Sequence, residues 1–266
     1  MKFQTNLLRM RTVYDKPVRY YLRKDKNEEV LLNSFIGKQV QIRYLEKINC
    51  INCGAETNKS FHQGYCYSCF TSLPQTDVGI IHPEKDQSHL GISRDMEWAK
   101  ENILIDHFVY LAITGNLKVG VTRYNQVPTR WIDQGAISAI KLAKTPNRYL
   151  AGLIEVELKS KISDKTNWRN MLKSSSHQLD LKNEKRNISQ YISNELKQYI
   201  TVDNFITEII YPYKNSLPDY SQINLDNKNE FSGILEGIKG QYLILSNGGV
   251  LNVRKHNGFL VEIELD

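Results

Sequence analysis

The sequence predicts an α+β fold, on three observations. Both ends of the chain alternate apolar and polar residues with a period of two, as half-buried strands do. The stretch between them mixes apolar runs with helical spacing and helix-start signals. Four cysteines fall as two close pairs just after the first β segment, where the chain has too few apolar residues to build a core of its own.

Taken in order, residues 12–46 alternate at Val18–Leu22 and Lys38–Arg43, with a charged turn at 24–29. The pairs Cys50–Cys53 and Cys66–Cys69 follow, each with two residues inside and twelve between them. That C-x2-C…C-x2-C spacing is a zinc-ribbon pattern, because short loops turn both sulfurs of a pair toward one point and four thiolates close a tetrahedron. Cys50, Cys53, Cys66 and Cys69 are therefore the expected ligands of a structural Zn²⁺, with no open coordination position for hydrolysis. Phe61, Tyr65, Tyr67 and Phe70 surround the pairs, to stack on bases or to pack against the ribbon.

Further along, Asp95 to Ile105 has amphipathic helical spacing. Phe108–Thr114 and Leu117–Thr122 form a hairpin across Gly115-Asn116. Pro128–Gln134 is a short helix stopped by Gly135, and Ala136–Ala143 is an apolar strand. Thr145-Pro146 opens a helix to about Ile162, with Thr145 as cap and proline at its first position. Trp168–Lys173 adds a helical turn, for which Asp164 or Thr166 is the expected cap. Ser174–Ser176 is a linker, and 178–200 a charged helix. Residues 231–265 alternate again, with turns at 237–240, 247–249 and 257–258. The two terminal β segments are expected to pair into one small barrel-like module. These elements divide the chain into a β segment (1–47), the ribbon (48–72), a connector with a helix (73–104), a core (105–175), a helical segment (176–206) and a C-terminal β module (207–266).

Composition excludes several classes. With 41% apolar and 24% charged residues and only 7 prolines, the chain is neither disordered nor collagen-like. No run approaches the roughly 18 apolar residues of a transmembrane helix, and the first residues lack the apolar stretch of a secretory signal. The expectation is a cytoplasmic protein with no membrane partner. Of the net charge of +6, all falls in residues 1–47, with 11 Lys/Arg against 5 Asp/Glu. Such a segment points to an anionic partner, nucleic acid first; the alternative is a solvated, lysine-rich β surface.

In residues 107–169, Val109-Tyr110, then Lys118-Val119-Gly120, then Arg130 and a later helical glutamate resemble the GIY-YIG nuclease superfamily. The resemblance implies a GIY-YIG-like α/β core and a divalent-metal-dependent endonuclease acting on DNA or RNA. Tyr110 would activate water, Lys118 and Arg130 would contact phosphate, and Glu155 would bind Mg²⁺ or Mn²⁺. Two positions depart from the superfamily's pattern: Lys118 stands where a second tyrosine is usual, and Gln134 where histidine is frequent. For the metal ligand, Glu155 fits the motif, whereas helical periodicity puts Glu157 near the centre of the apolar arc. Arg123, Trp168 and Arg169, with Arg130, form the expected phosphate and nucleic-acid contacts. The runs Lys118–Arg123, Gln126–Ala136 and Asp164–Arg169 are also similar to a bacterial family of unknown function. Three functions stay open here: a nuclease, a nucleic-acid- or ribosome-binding protein with a degenerate site, and a small-ligand or scaffold module.

Overall fold

The computed structural model describes residues 1–173, 179–213, 219–227 and 229–266. The expected Ser174–Ser176 linker lies outside them. The strands are β1 (Lys2–Asn6), β2 (Arg11–Val13), β3 (Arg19–Arg23), β4 (Glu29–Leu31) and β5 (Gln39–Ile48). Helices α1 (Tyr67–Ser72), α2 (Val78–Ile81) and α3 (Met96–Asn102) come next. The hairpin β6 (His107–Thr114) and β7 (Asn116–Arg123) leads to α4 (Thr129–Asp133), β8 (Ser138–Thr145) and α5 (Arg148–Lys159). Then come α6 (Trp168–Lys173), α7 (Leu181–Ser189), β9 (Ile206–Glu208) and β10 (Ser221–Ile223). The chain ends in β11 (Glu230–Lys239), β12 (Tyr242–Leu245), β13 (Gly249–Asn252) and β14 (Phe259–Leu265). Among the described residues no helix is long and apolar enough to cross a membrane.

The fold is mixed α+β and divides into two compact units, one of Met1–Thr71 with Ile209–Asp266, the other of Ser72–Glu208. In the first, a seven-stranded sheet runs in the order β1-β14-β5-β11-β12-β13-β10. Its pairs are antiparallel except β10 with β13. Alternation sets the register: buried Ile42 of β5 faces Ile263 on one side and Phe231 on the other. The terminal β segments thus share one sheet, but the sheet is open and not the expected barrel. After β1 the chain turns away at Leu7, and β2, β3 and β4 form a separate three-stranded sheet that buries Tyr20, Leu22 and Val30. Neither β1 nor β10 finds a second neighbour in the seven-stranded sheet.

The second unit is built on an antiparallel sheet in the order β7-β6-β8-β9. Val109, Leu111 and Ile113 of β6 join Val119, Ile140 and Leu142 in a core closed by Ala151, Ile154 and Leu158 of α5 and Ile188 of α7. Strand alternation turns Tyr110 to the opposite side, where its ring centroid is 5.8 Å from that of Trp131 on α4. Gly135, at φ +71, ends α4 as the sequence implies. Three local expectations are corrected. Helix α5 is capped by Asn147, whose Oδ1 accepts from Leu150 N at 3.0 Å, because Thr145 is still in β8 and its hydroxyl donates to Asn147 O. Asn167, not Asp164 or Thr166, caps α6 by accepting from the amides of Arg169 and Asn170. Among the described residues the charged segment is α-helical only over α7, with a 3-10 turn at Lys197–Tyr199 and Lys185 tied to the carbonyls of Thr201 and Asp203 where the chain folds back.

Candidate functional site

The four cysteine sulfurs lie within 4.8 Å of one another, and Cys53 and Cys66 are 3.8 Å apart. A tetrahedron with metal–sulfur bonds of about 2.3 Å has edges of about 3.8 Å, so the donor set fits one Zn²⁺. The two pairs are not matching knuckles of a ribbon. Cys50 and Cys53 sit on a turn closed by Gly54, at φ +76, whose amide donates to Cys50 O, whereas Cys66 and Cys69 flank and enter the first turn of α1. Burial alone would keep the Cys50 thiol protonated, but the amides of Cys53, Cys66 and Asn52 outweigh it and pull its pKa down to about 6. Asn52 Nδ2 donates to Cys69 Sγ at 3.5 Å. All four ligand positions are protein thiols, so an ion held here would brace residues 48–72 and not hydrolyse anything.

In the second unit, four of the predicted residues come from four different elements and act on one another electrostatically. Tyr110 is fully buried on β6; its hydroxyl donates to Gln134 Oε1 at 2.6 Å, and the charge of Arg130 on α4 acts on it. The cross-strand partner of Tyr110 is Gly120, and a Cβ there would stand 2.6 Å from the phenol oxygen. Only glycine leaves room for that ring. Lys118 is buried on the edge strand β7 and reaches Thr166 Oγ1 at 3.3 Å. Burial, with the Arg130 charge, pushes its pKa down to about 8, against Glu155 and Asp164. Glu155 is buried on α5, 8% exposed, and 3.8 Å from Lys159, which also pairs with Asp164 at 3.4 Å. Burial holds the Glu155 carboxyl above its ordinary range, against Lys159, Arg148 and Lys118.

Glu157 is placed elsewhere: only half-buried, it accepts from Ser193 N at 2.9 Å and so ties α5 to the turn after α7. Arg123, Trp168 and Arg169 do not share the Lys118 neighbourhood as a set. Arg123 is at the far end of β7, opposite His107, and donates to Asn102 Oδ1. Arg169 stacks over Trp168, 4.3 Å from its ring centroid, on α6, whose Asn170 abuts the hairpin turn at Gly115.

Arg148 is the residue that sequence reasoning missed. Its Nε and Nη2 donate to the carbonyls of Gly79 and Ile80, and its charge acts on Arg130 and Glu155. Nothing near Arg148 in the sequence signals this, because those carbonyls lie 69 and 68 residues away. Lys118, Arg130, Arg148 and Lys159 share this neighbourhood with the carboxylates Glu155, Asp164 and Asp86.

Fold and thiols together define an α+β protein with a four-cysteine cluster able to hold a structural metal ion. Residues 37–261 match the family described as "Protein of unknown function (DUF2797)", and the chain belongs to that family. No curated protein and no solved structure matches it.

Proposed function

We propose that the protein is directed to nucleic acid and that its second unit is a GIY-YIG-like core that engages a phosphodiester and hydrolyses it with a divalent cation. What supports this is that Tyr110, Lys118, Arg130 and Glu155, from β6, β7, α4 and α5, lie within one another's electrostatic reach. Arg130 offers the planar guanidinium that suits a phosphate, and Lys118 a buried point charge within its electrostatic reach. Glu155 would hold Mg²⁺ or Mn²⁺, and such an ion supplies an activated water and charge neutralisation at the phosphate. Glu155 and Asp164, both already paired with Lys159, are a poor isolated cation site. It suits Mg²⁺, which keeps several waters and shares its ligands with substrate phosphate. Phosphate and ion should therefore bind together. Tyr110 would anchor Gln134, at the C-terminal end of the helix that carries Arg130. The clustered thiols, none in a disulfide, suit the reducing cytoplasm.

A second reading keeps the phosphate site and drops turnover. It is favoured by the phenol of Tyr110, which is sealed from water and already committed to Gln134. Incubation with end-labelled DNA and RNA in Mg²⁺ or Mn²⁺ decides between them. Cleavage abolished by Glu155→Ala and by Arg130→Ala supports hydrolysis. Salt-sensitive binding without cleavage supports the second reading, and neither binding nor cleavage refutes both.

A further inference from the structure

We propose that the aromatic cluster on the four-cysteine lobe is a stacking platform for single-stranded nucleic acid, separate from the phosphate site of the core. The proposal rests on the nucleic-acid reading above and adds to it the form of the strand that is bound. Phe61 is the hub: its ring stacks on Phe70 at 5.7 Å between centroids and meets Tyr67 edge-on at 5.4 Å. His62 continues the surface, stacked on Phe70 at 6.3 Å and tilted against Tyr65 at 6.4 Å. None of these five rings is fully buried, and Tyr67 is 64% exposed. The ring that faces solvent is Tyr67, at the edge of the cluster, while the hub Phe61 is half-buried.

The charges around it match a phosphate backbone. Exposed Lys59 places its ammonium 5.2 Å from the Phe61 centroid, and the charge of Arg254 acts on His62. The loop that carries His62 is costly to hold. His62 and Gln63 are consecutive non-glycine residues in the left-handed region, at φ 45 and φ 61, fixed by Asn257 Nδ2 donating to Gln63 O at 3.0 Å. Rings of this kind bind splayed bases whatever their identity, whereas paired bases in a duplex present no face to them.

The test uses the full-length, zinc-loaded protein and fluorescein-labelled oligo-dT and oligo-U of roughly twelve nucleotides, read by anisotropy. Tyr67→Ala should weaken binding about five-fold or more, with zinc content unchanged, and Tyr67→Phe should restore it. Lys59→Glu, at an exposed position away from the thiols, should weaken binding as well. An abasic strand of equal length should not distinguish wild type from Tyr67→Ala. The ratio of dT to U affinity assigns the strand to DNA or RNA. Unchanged affinity in both Tyr67→Ala and Lys59→Glu overturns the platform. If Arg130→Ala alone then abolishes binding, the core reading stands without it. If the wild type binds neither oligonucleotide, both fall.

Discussion

In Gly120→Ala, the new methyl group must displace Tyr110. The added Cβ would lie 2.6 Å from the phenol oxygen and 2.7 Å from Cζ, whereas ordinary contact starts at 3.4 Å. The ring has no free space to retreat into, since Tyr110 and neighbouring Trp131 are both essentially inaccessible to solvent. A forced shift of most of an ångström in a packed interior costs about 1–3 kcal/mol. It also breaks the 2.6 Å bond to Gln134, worth about 1 kcal/mol net. The expected loss is therefore about 2–4 kcal/mol, read as a lowered urea midpoint at unchanged slope. On the proposed function, nucleic-acid affinity should fall with it, because Gln134, at the end of the helix that carries Arg130, loses its partner. Shortening the opposing side chain relieves the clash, so Gly120→Ala combined with Tyr110→Leu should be less destabilised than the sum of the two single variants. A wild-type midpoint for Gly120→Ala, or strict additivity in the double variant, would refute the packing on which the site is built.

Three further outcomes follow from the same geometry. Gly152→Ala should improve the propensity of α5 by about 1 kcal/mol, yet its Cβ would fall 2.4 Å from the backbone nitrogen of Glu84, which cannot yield; a net destabilisation in thermal unfolding is expected. His107 is fully buried, and burial holds its pKa down at about 4 against an ordinary 6.5, reinforced by Arg148 and Arg123 and opposed by its bond to Ile105 O. Between those two values the unfolded chain takes up a proton that the folded one refuses, so stability falls as pH drops from about 6.5 to about 4, by up to about 3 kcal/mol from this group; urea titrations should show that slope in the wild type and its loss in His107→Phe. Chelation of the metal, or Cys53→Ser, should release one zinc per chain and open the amides of residues 48–72 to hydrogen exchange while those of β6 and β8 stay protected; retained protection at 48–72 would contradict a structural ion.

Much of the fold was legible because local rules suffice for it. Gly115-Asn116 marks the β6–β7 hairpin, Gly135 the end of α4, and the paired cysteines the metal lobe, each through chemistry contained in a few residues. The open sheet was not legible, since alternation shows that strands are half-buried but says nothing of whether the first and last will meet. Periodicity also favoured Glu157 over Glu155 as the inward acid. It took the apolar arc as the whole buried surface, whereas α5 also buries Gly152 and Glu155 against neighbours far off in sequence. Arg148 escaped for the same reason. Gly120 did carry a signal: a glycine inside a strand marks a close approach, here by the Tyr110 ring.

On the proposed function, Lys118, Arg130 and Glu155 receive a phosphodiester together with a divalent cation. The most direct measurement is a crystal structure with a short phosphorothioate oligonucleotide and Mn²⁺, the ion being located by its anomalous signal. The expected map shows a backbone phosphate between Arg130 and Lys118 and a manganese peak at the Glu155 carboxylate, present only when the oligonucleotide is bound. A phosphate bound elsewhere on the molecule, with no ion at Glu155, would contradict it.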